Sequence, residues 1–244
     1  MKKSNLLLAA IAILLSFTQV SCYLMSVKGN GNVVTKEIPI SDYKELIVEG
    51  GNIELTYTQS EEAPFLRIET DQNILDILEM RTVDDKLKIR PMNRRTSIEP
   101  TRFVITTNSK NLTDLKMAGS GKGHIEGPLK SHDLELSIAG SGTFIADSLD
   151  VYELECDMAG SGEMLLAGKA EKTKIKSAGS CYIKAFDLTT EWLNCKMAGS
   201  NNVDITVNQE ITSKIAGSGE LRFKGNPKEI HSNTAGSGSV TRVE

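Results

Sequence analysis

The tetrapeptide Ala118-Gly119-Ser120-Gly121 begins the stretch of sequence that decides the fold, because it returns throughout the second half of the chain. Two of its copies end in Cys181 and Asn201 instead of glycine. The copies start at Ala118, Ala139, Ala159, Ala178, Ala198, Ala216 and Ala235, so successive starts lie 18 to 21 residues apart. A nearly fixed period of this length is typical of repeat architectures, in which each repeat packs against its neighbours.

Apolar and polar residues alternate on both sides of the tetrapeptide, which is the pattern of a β-strand. The first and third positions before each alanine are mostly apolar, as in Met117 and Leu115, while Lys116 between them is polar. The fifth and seventh positions after it are again mostly apolar, as in Phe144 and Ala146 of the second copy. Each repeat therefore contributes one strand before the glycines and another after them.

We interpret the glycines as corners between these strands. The alternation places them on the inner side of the bend, where a side chain would collide with the core, and it places Ala and Ser outside. The first glycines of the copies are the predicted structural corners: Gly119, Gly140, Gly160, Gly179, Gly199, Gly217 and Gly236. Repeats of this kind predict an all-β solenoid, a parallel β-helix whose coils pair with the coils above and below.

The cysteines of the repeat region are predicted to be buried apolar residues. Cys156 and Cys195 occupy the same inward column two coils apart, which is about 9.6 Å at the spacing of paired strands. That separation exceeds the limit of about 7 Å for a disulfide. Together with Cys181 they form an odd number, which cannot pair fully within one chain.

The amino-terminal residues 1–21 predict a secretory signal peptide, because a positive start precedes a mostly apolar run from residue 5 to 17. Cys22 ends this segment in a context that resembles the lipobox of bacterial lipoproteins, in which the cysteine is acylated. Gln19 stands where the lipobox usually has leucine, so ordinary cleavage nearby is the alternative. We expect Cys22 to be the lipid attachment site and residues 22–32 to be a tether.

The first half of the chain continues the architecture less regularly. Residues 43–57 read as strand, Gly50-Gly51 corner and strand, and residues 74–80 as one or two helical turns. Alternation predicts further strands at 65–70, 86–90 and 102–106. We therefore expect one domain over residues 33–244, with about ten coils of 18 to 23 residues that become regular from about residue 112.

Several stretches of the chain resemble a known family. The segments Leu46–Gln59, Leu66–Leu75 and Lys86–Ile89, followed by the repeated Ala-Gly-Ser-Gly, are similar to the putative auto-transporter adhesin head GIN domain family. The resemblance covers roughly residues 40–244 and implies a right-handed parallel β-helix on an exported, often lipid-anchored bacterial protein. It implies no catalytic residues.

Composition excludes some classes of function. Apolar residues make up 39% and charged residues 25% of the chain, which is too apolar and too balanced for disorder. With 28 basic and 32 acidic residues the chain is not strongly basic, so we expect no nucleic-acid partner.

Few residues of the chain are candidates for metal binding or catalysis. The three histidines, His124, His132 and His231, share neither a column nor metal-ligand spacing, and we expect no metal and no cofactor. Glu126 and Asp147 fall at equivalent positions of adjacent coils and form a candidate cation pair, with solvated surface carboxylates as the alternative.

Two outward ladders are candidate interaction surfaces. One is a basic stripe formed by Lys174, Lys176, Lys196 and Lys214. It binds an acidic glycan or lipid headgroups, or it is a solvated strand face. The other is a flat strip that binds an extended ligand or another subunit, or that consists of serines only because small residues fit a tight corner. Its members are Ser120, Ser141, Ser161, Ser180, Ser200, Ser218 and Ser237.

These observations predict a non-catalytic, exported lipoprotein that binds a glycan or an envelope protein, or acts structurally, at the cell envelope. No acidic cluster follows Cys22, which favours the periplasmic side of a Gram-negative outer membrane over the cell surface. The alternatives are a carbohydrate-active β-helix enzyme and an envelope sensor or accessory protein. The inward columns turn polar in the last coil, at Ser232 and Thr234, and an exposed last rung predicts a homodimer formed by end-to-end or face packing.

Overall fold

The computed structural model describes residues 25–244. The predicted signal peptide and the predicted lipid attachment site Cys22 lie outside the described residues. Within them the protein is all-β, with fifteen strands and one short helix. No helix among the described residues is long and apolar enough to cross a membrane.

The amino-terminal half contains eight strands and the helix. Their bounds are β1 Met25–Lys28, β2 Val33–Pro39, β3 Glu45–Gln59, β4 Phe65–Asp71, α1 Gln72–Leu75, β5 Leu78–Val83, β6 Lys86–Pro91, β7 Thr96–Glu99 and β8 Phe103–Ser109. The strands predicted from alternation are confirmed as β4, β6 and β8. The predicted helical turns are confined to α1, and the chain returns to a strand three residues later.

The repeat region consists of long strands that run through the tetrapeptides. Their bounds are β9 Asp114–Gly160, β10 Glu163–Gly179, β11 Tyr182–Gly199, β12 Asn202–Gly217, β13 Glu220–Lys224, β14 Glu229–Gly236 and β15 Ser239–Arg242. All pairs between these strands are parallel, and equivalent residues of successive repeats are opposite each other. Ala159 is opposite Ala178, for example, and Ala178 is opposite Ala198.

The amino-terminal half joins this stack through β3. Gly50 of β3 is opposite Gly119 of β9, so the predicted Gly50-Gly51 corner lies in register with the first repeat. β3 also runs parallel to β6 and β8.

The sheet is nevertheless mixed, so the predicted parallel β-helix of about ten coils is not confirmed over the first half. Three pairs there are antiparallel: β2 with β4, β4 with β8, and β5 with β6. The last pair is a hairpin closed by Asp84 and Asp85, both with positive φ angles of 51° and 58°. Two such residues form the tight turn that joins antiparallel strands. Right-handed winding of the repeats from β9 onward stays a prediction.

The core follows the inward columns predicted from the alternation. Leu115, Leu136 and Ile175 occupy one inward column and are fully buried. Cys156 and Cys195 share that column. All three cysteines of the described region are free and buried, as predicted. Burial raises the pKa of the Cys195 thiol to about 12, so this side chain acts as an apolar filler.

The structure corrects the predicted position of the first glycine in each copy. Gly160 is exposed and has a φ of 120°, a backbone conformation that disfavours any side chain. A β-carbon at this position would overlap the carbonyl oxygen of Gly140 in the preceding repeat. The requirement for glycine therefore comes from the close approach of successive backbones, not from collision with the core.

The second glycine position does face inward. Cys181 and Asn201 occupy it in two repeats, and both are buried. Asn201 is accommodated because its side chain accepts a hydrogen bond from the Cys181 N–H at 3.0 Å and donates one to the Ala198 carbonyl at 2.7 Å. A polar residue can therefore replace this glycine where both its side-chain oxygen and its side-chain nitrogen form hydrogen bonds.

The last repeat is exposed along its whole first strand. Every residue of β14 is exposed, including Ser232 and Thr234 of the inward columns. Within residues 25–244, β14 pairs only with β12 and β15 only with β13. Self-association through this edge stays a prediction.

Candidate functional site

A shallow groove runs across the repeats beside the alanine of each tetrapeptide. It has a volume of about 660 Å³ and is lined from Ser137 in β9 to Ala235 in β14. Six repeats contribute to it, so at the spacing of paired strands it extends for about 24 Å. We call this surface the alanine groove.

The floor of the alanine groove is apolar because each repeat places the same small residue there. The floor alanines are Ala139, Ala159, Ala178, Ala198, Ala216 and Ala235. The residues before them, such as Met158 and Met197, are almost fully buried but still line the groove. A larger residue at an alanine position would fill the groove, so its depth depends on the repeat itself.

One rim of the alanine groove carries lysines. Lys176, Lys196 and Lys214 follow one another in adjacent repeats, opposite each other across the parallel pairs. Three like charges about 4.8 Å apart repel one another unless they are compensated.

The compensation stops after the first of these lysines. Lys176 contacts Glu155 and lies 3.4 Å from Asp157, and the hydrogen bond with Glu155 holds its pKa above the ordinary value. Lys196 and Lys214 are exposed, and neither has a carboxylate within ion-pair distance among residues 25–244. This end of the rim therefore presents two uncompensated positive charges beside an apolar floor.

The predicted basic stripe is thus divided into two parts. Lys174, like Lys176, is bound to Glu155, at 2.8 Å. Only Lys196 and Lys214 remain available for an anion from outside.

The predicted serine strip follows the alanine groove but does not line it. Most of its serines are exposed, and their backbone N–H groups bond to the preceding repeat. The Ser161 N–H, for example, donates to the Gly140 carbonyl at 2.9 Å, and the Ser180 N–H donates to the Gly160 carbonyl at 2.8 Å. These residues hold the corner together, and the interaction role predicted for their side chains stays a prediction.

Of the candidate cation pair, Glu126 is exposed and Asp147 is engaged in other contacts. Asp147 lies 2.9 Å from His124 Nε2 and accepts a hydrogen bond from the Gly127 N–H at 3.2 Å. The contact with His124 lowers the pKa of the Asp147 carboxyl. Across the described part of the chain, no group of three or more His, Cys, Asp or Glu side chains is arranged to hold a metal ion.

Sequence reasoning identified the outward alanines but selected the serines beside them. Both residue types are small and both recur in every copy, so the pattern alone does not show which ladder lines a depression. Ala198, Gly199 and Ser200 are all exposed, and only the position of the groove across the six repeats shows that the alanines line it.

The chain matches the family model described as putative auto-transporter adhesin, head GIN domain, over residues 42–227. No curated protein is significantly similar to the chain.

Solved structures from other bacteria share the fold. A crystal structure described as a putative lipid binding protein from Parabacteroides distasonis is 32% identical, with a TM-score of 0.74, and the match covers 90% of this chain and all of that one. A putative adhesin from Parabacteroides merdae is 28% identical, with a TM-score of 0.70 and coverage of 90% and 100%. A putative adhesin from Bacteroides fragilis, at 22% identity, a TM-score of 0.78 and coverage of 89% and 100%, is similar in fold.

Proposed function

The chain belongs to the putative auto-transporter adhesin head GIN domain family, and from this premise we propose that it is a non-catalytic binding protein of the bacterial envelope whose alanine groove takes an amphipathic anion. Such a ligand has an apolar chain and a negatively charged head. The observation that carries the proposal is that an apolar floor lies beside Lys196 and Lys214, which have no carboxylate partner within residues 25–244.

The floor favours an extended apolar chain. It is continuous over six repeats and is formed by alanine methyl groups and by the side chains of Met158, Met197 and Ile215. Burial of apolar ligand surface against such a floor contributes roughly 25 cal/mol per Å². A compact polar ligand would leave most of this surface uncovered.

The rim favours a negative head. Lys196 and Lys214 repel each other in the free protein, and an anion between them removes that repulsion while forming charge-assisted hydrogen bonds. In this arrangement the head lies at Lys196 and Lys214, and the chain runs along the floor towards Ala139. The description of the 32% identical relative as a putative lipid binding protein supports a ligand of this class.

Replacing both lysines tests the charge requirement. For residues 25–244 we expect Lys196→Gln with Lys214→Gln to weaken palmitate binding at least about tenfold in calorimetric titration, because two charge-assisted contacts are lost. Binding of hexadecanol, which has the same chain without the charge, should change by less than about twofold.

A matched pair of exposed lysines outside the groove, Lys169→Gln with Lys228→Gln, controls for net charge and should leave palmitate binding unchanged. Equal losses in the two double variants would contradict a specific role for the rim, and absence of palmitate binding by the unmodified protein would contradict the proposed function.

We further propose that the protein is exported and anchored to the outer membrane through an acylated Cys22, on the periplasmic side. The support is the sequence context of Cys22 and the family's description as auto-transporter adhesins. In cells fed a labelled fatty acid, the unmodified chain should carry the label and Cys22→Ala should not. Equal labelling of both chains would exclude this anchor.

A further inference from the structure

A second cleft lies on strands β9 to β12, around the single tryptophan of the chain. Trp192 in β11 is 40% exposed, which is unusual for so large a side chain in a strand. The cleft has a volume of about 270 Å³. Its polar lining comes mainly from Glu153, Lys172, Lys174, Asn194, Glu210 and Thr212. We call it the indole cleft, and it shares no lining residue with the alanine groove.

The indole of Trp192 has no partner within residues 25–244. Its N–H group has no hydrogen-bond acceptor there, and its ring makes neither an aromatic stacking nor a cation–π contact. Tyr152, the other exposed aromatic residue of this surface, differs. Its ring stacks on His132 at 4.9 Å between centroids and has the Lys172 ammonium 5.2 Å from its centroid. Trp192 therefore offers an apolar ring and a donor that the fold itself does not use.

Hydrogen-bonding groups surround this indole at the spacing of neighbouring strands. Glu210 is opposite Trp192 in the next repeat, and Thr212 is opposite Asn194. The Glu210 carboxylate accepts a hydrogen bond from the Thr212 hydroxyl at 3.1 Å, which orients the carboxylate. The Asn194 side chain has no hydrogen-bond partner among the described residues, so its amide can both donate and accept.

We propose that the indole cleft binds a neutral saccharide. A pyranose ring has an apolar C–H face, which packs on an indole, and a rim of hydroxyl groups, each of which both donates and accepts hydrogen bonds. Asn194 and Glu210 supply the matching amide and carboxylate beside the ring of Trp192.

The chemistry of the cleft distinguishes this ligand from the one in the alanine groove. The carboxylates of Glu153 and Glu210 are matched in number by the ammonium groups of Lys172 and Lys174, so the cleft lining has no net charge that would select an ion. An acyl chain would find only Trp192 and the buried Leu193 as apolar partners among polar groups. A neutral polyhydroxyl ligand satisfies both conditions. The two surfaces thus serve different ligands, and binding to one does not require the other.

The lone tryptophan reports directly on this proposal. The full-length protein, in a detergent without aromatic groups, is titrated with cellohexaose and with chitohexaose while the indole emission is recorded. We expect a saturable change in the intensity or wavelength of emission with at least one of them. Asn194→Ala and Glu210→Gln should each weaken that binding about tenfold. Ala198→Phe, which fills the alanine groove, should leave it unchanged.

Trp192→Ala lacks the fluorescent reporter, so its binding is measured by retardation in a polysaccharide gel. We expect this variant to lose binding. The absence of a saturable emission change with both hexasaccharides would overturn the proposal. If both Asn194→Ala and Glu210→Gln bound the saccharide as tightly as the unmodified protein, the proposal would be overturned as well.

Discussion

Gly160→Ala should destabilise the protein by about 3 kcal/mol or more, although the residue is exposed and its substituent is a single methyl group. The backbone at Gly160 has a φ of 120°, and the added β-carbon would overlap the carbonyl oxygen of Gly140. Neither atom can move independently, because the Ser161 N–H is bonded to that same carbonyl at 2.9 Å. The measurement is the urea midpoint of unfolding for residues 25–244, with an unchanged slope.

Gly127→Ala is the matched control. Gly127 also has a positive φ, of 75°, but a β-carbon there would meet nothing within 4 Å. Only the conformational cost applies, about 1 to 2 kcal/mol. Equal destabilisation by the two variants would show that close stacking of the glycine backbones is not what requires glycine at Gly160.

Ala198→Phe should abolish palmitate binding, with a loss of at least about 100-fold. Ala198 lies on the floor of the alanine groove between Ala178 and Ala216, and a phenyl ring there would occupy the space of the acyl chain. The side chain points outward, so the core is not affected, and thermal unfolding should change little.

Ser200→Phe controls for the added aromatic ring. Ser200 is exposed two residues further along the same repeat but does not line the groove. We expect it to bind palmitate within about twofold of the unmodified protein. If Ser200→Phe weakened binding as strongly as Ala198→Phe, the ligand would lie along the serine strip instead.

The repeat region could be predicted in detail because the Ala-Gly-Ser-Gly tetrapeptide recurs every 18 to 21 residues. The inward columns placed Leu115, Leu136 and Ile175 in the core and assigned Cys156 and Cys195 as buried thiols, all of which the structure confirms. Each inward column has one residue in every repeat, so a single irregular residue does not obscure the pattern.

The amino-terminal half could not be predicted in the same way because no period constrains its pairing. Alternation located β4, β6 and β8, but alternation is the same in parallel and antiparallel strands. The pair Asp84-Asp85 between β5 and β6 was the available signal for a hairpin, since aspartate tolerates the positive φ of a tight turn.

The two proposed sites differ in how visible they were from the sequence. The alanine ladder was evident, but its role as a floor is visible only where the six repeats are assembled into one surface. Trp192 was not predicted as a site, although a lone tryptophan that alternates with the apolar Leu193 and so takes a polar position of the strand was a usable signal.

The most direct test of the account is carbon-13 NMR of the methionine methyl groups during titration with palmitate. Met158 and Met197 line the alanine groove, whereas Met80 and Met92 lie in the amino-terminal half. Palmitate in the alanine groove should cause saturable shifts of Met158 and Met197, with Met80 and Met92 unchanged. Unchanged signals of Met158 and Met197 at saturation, or equal shifts of all four, would contradict it.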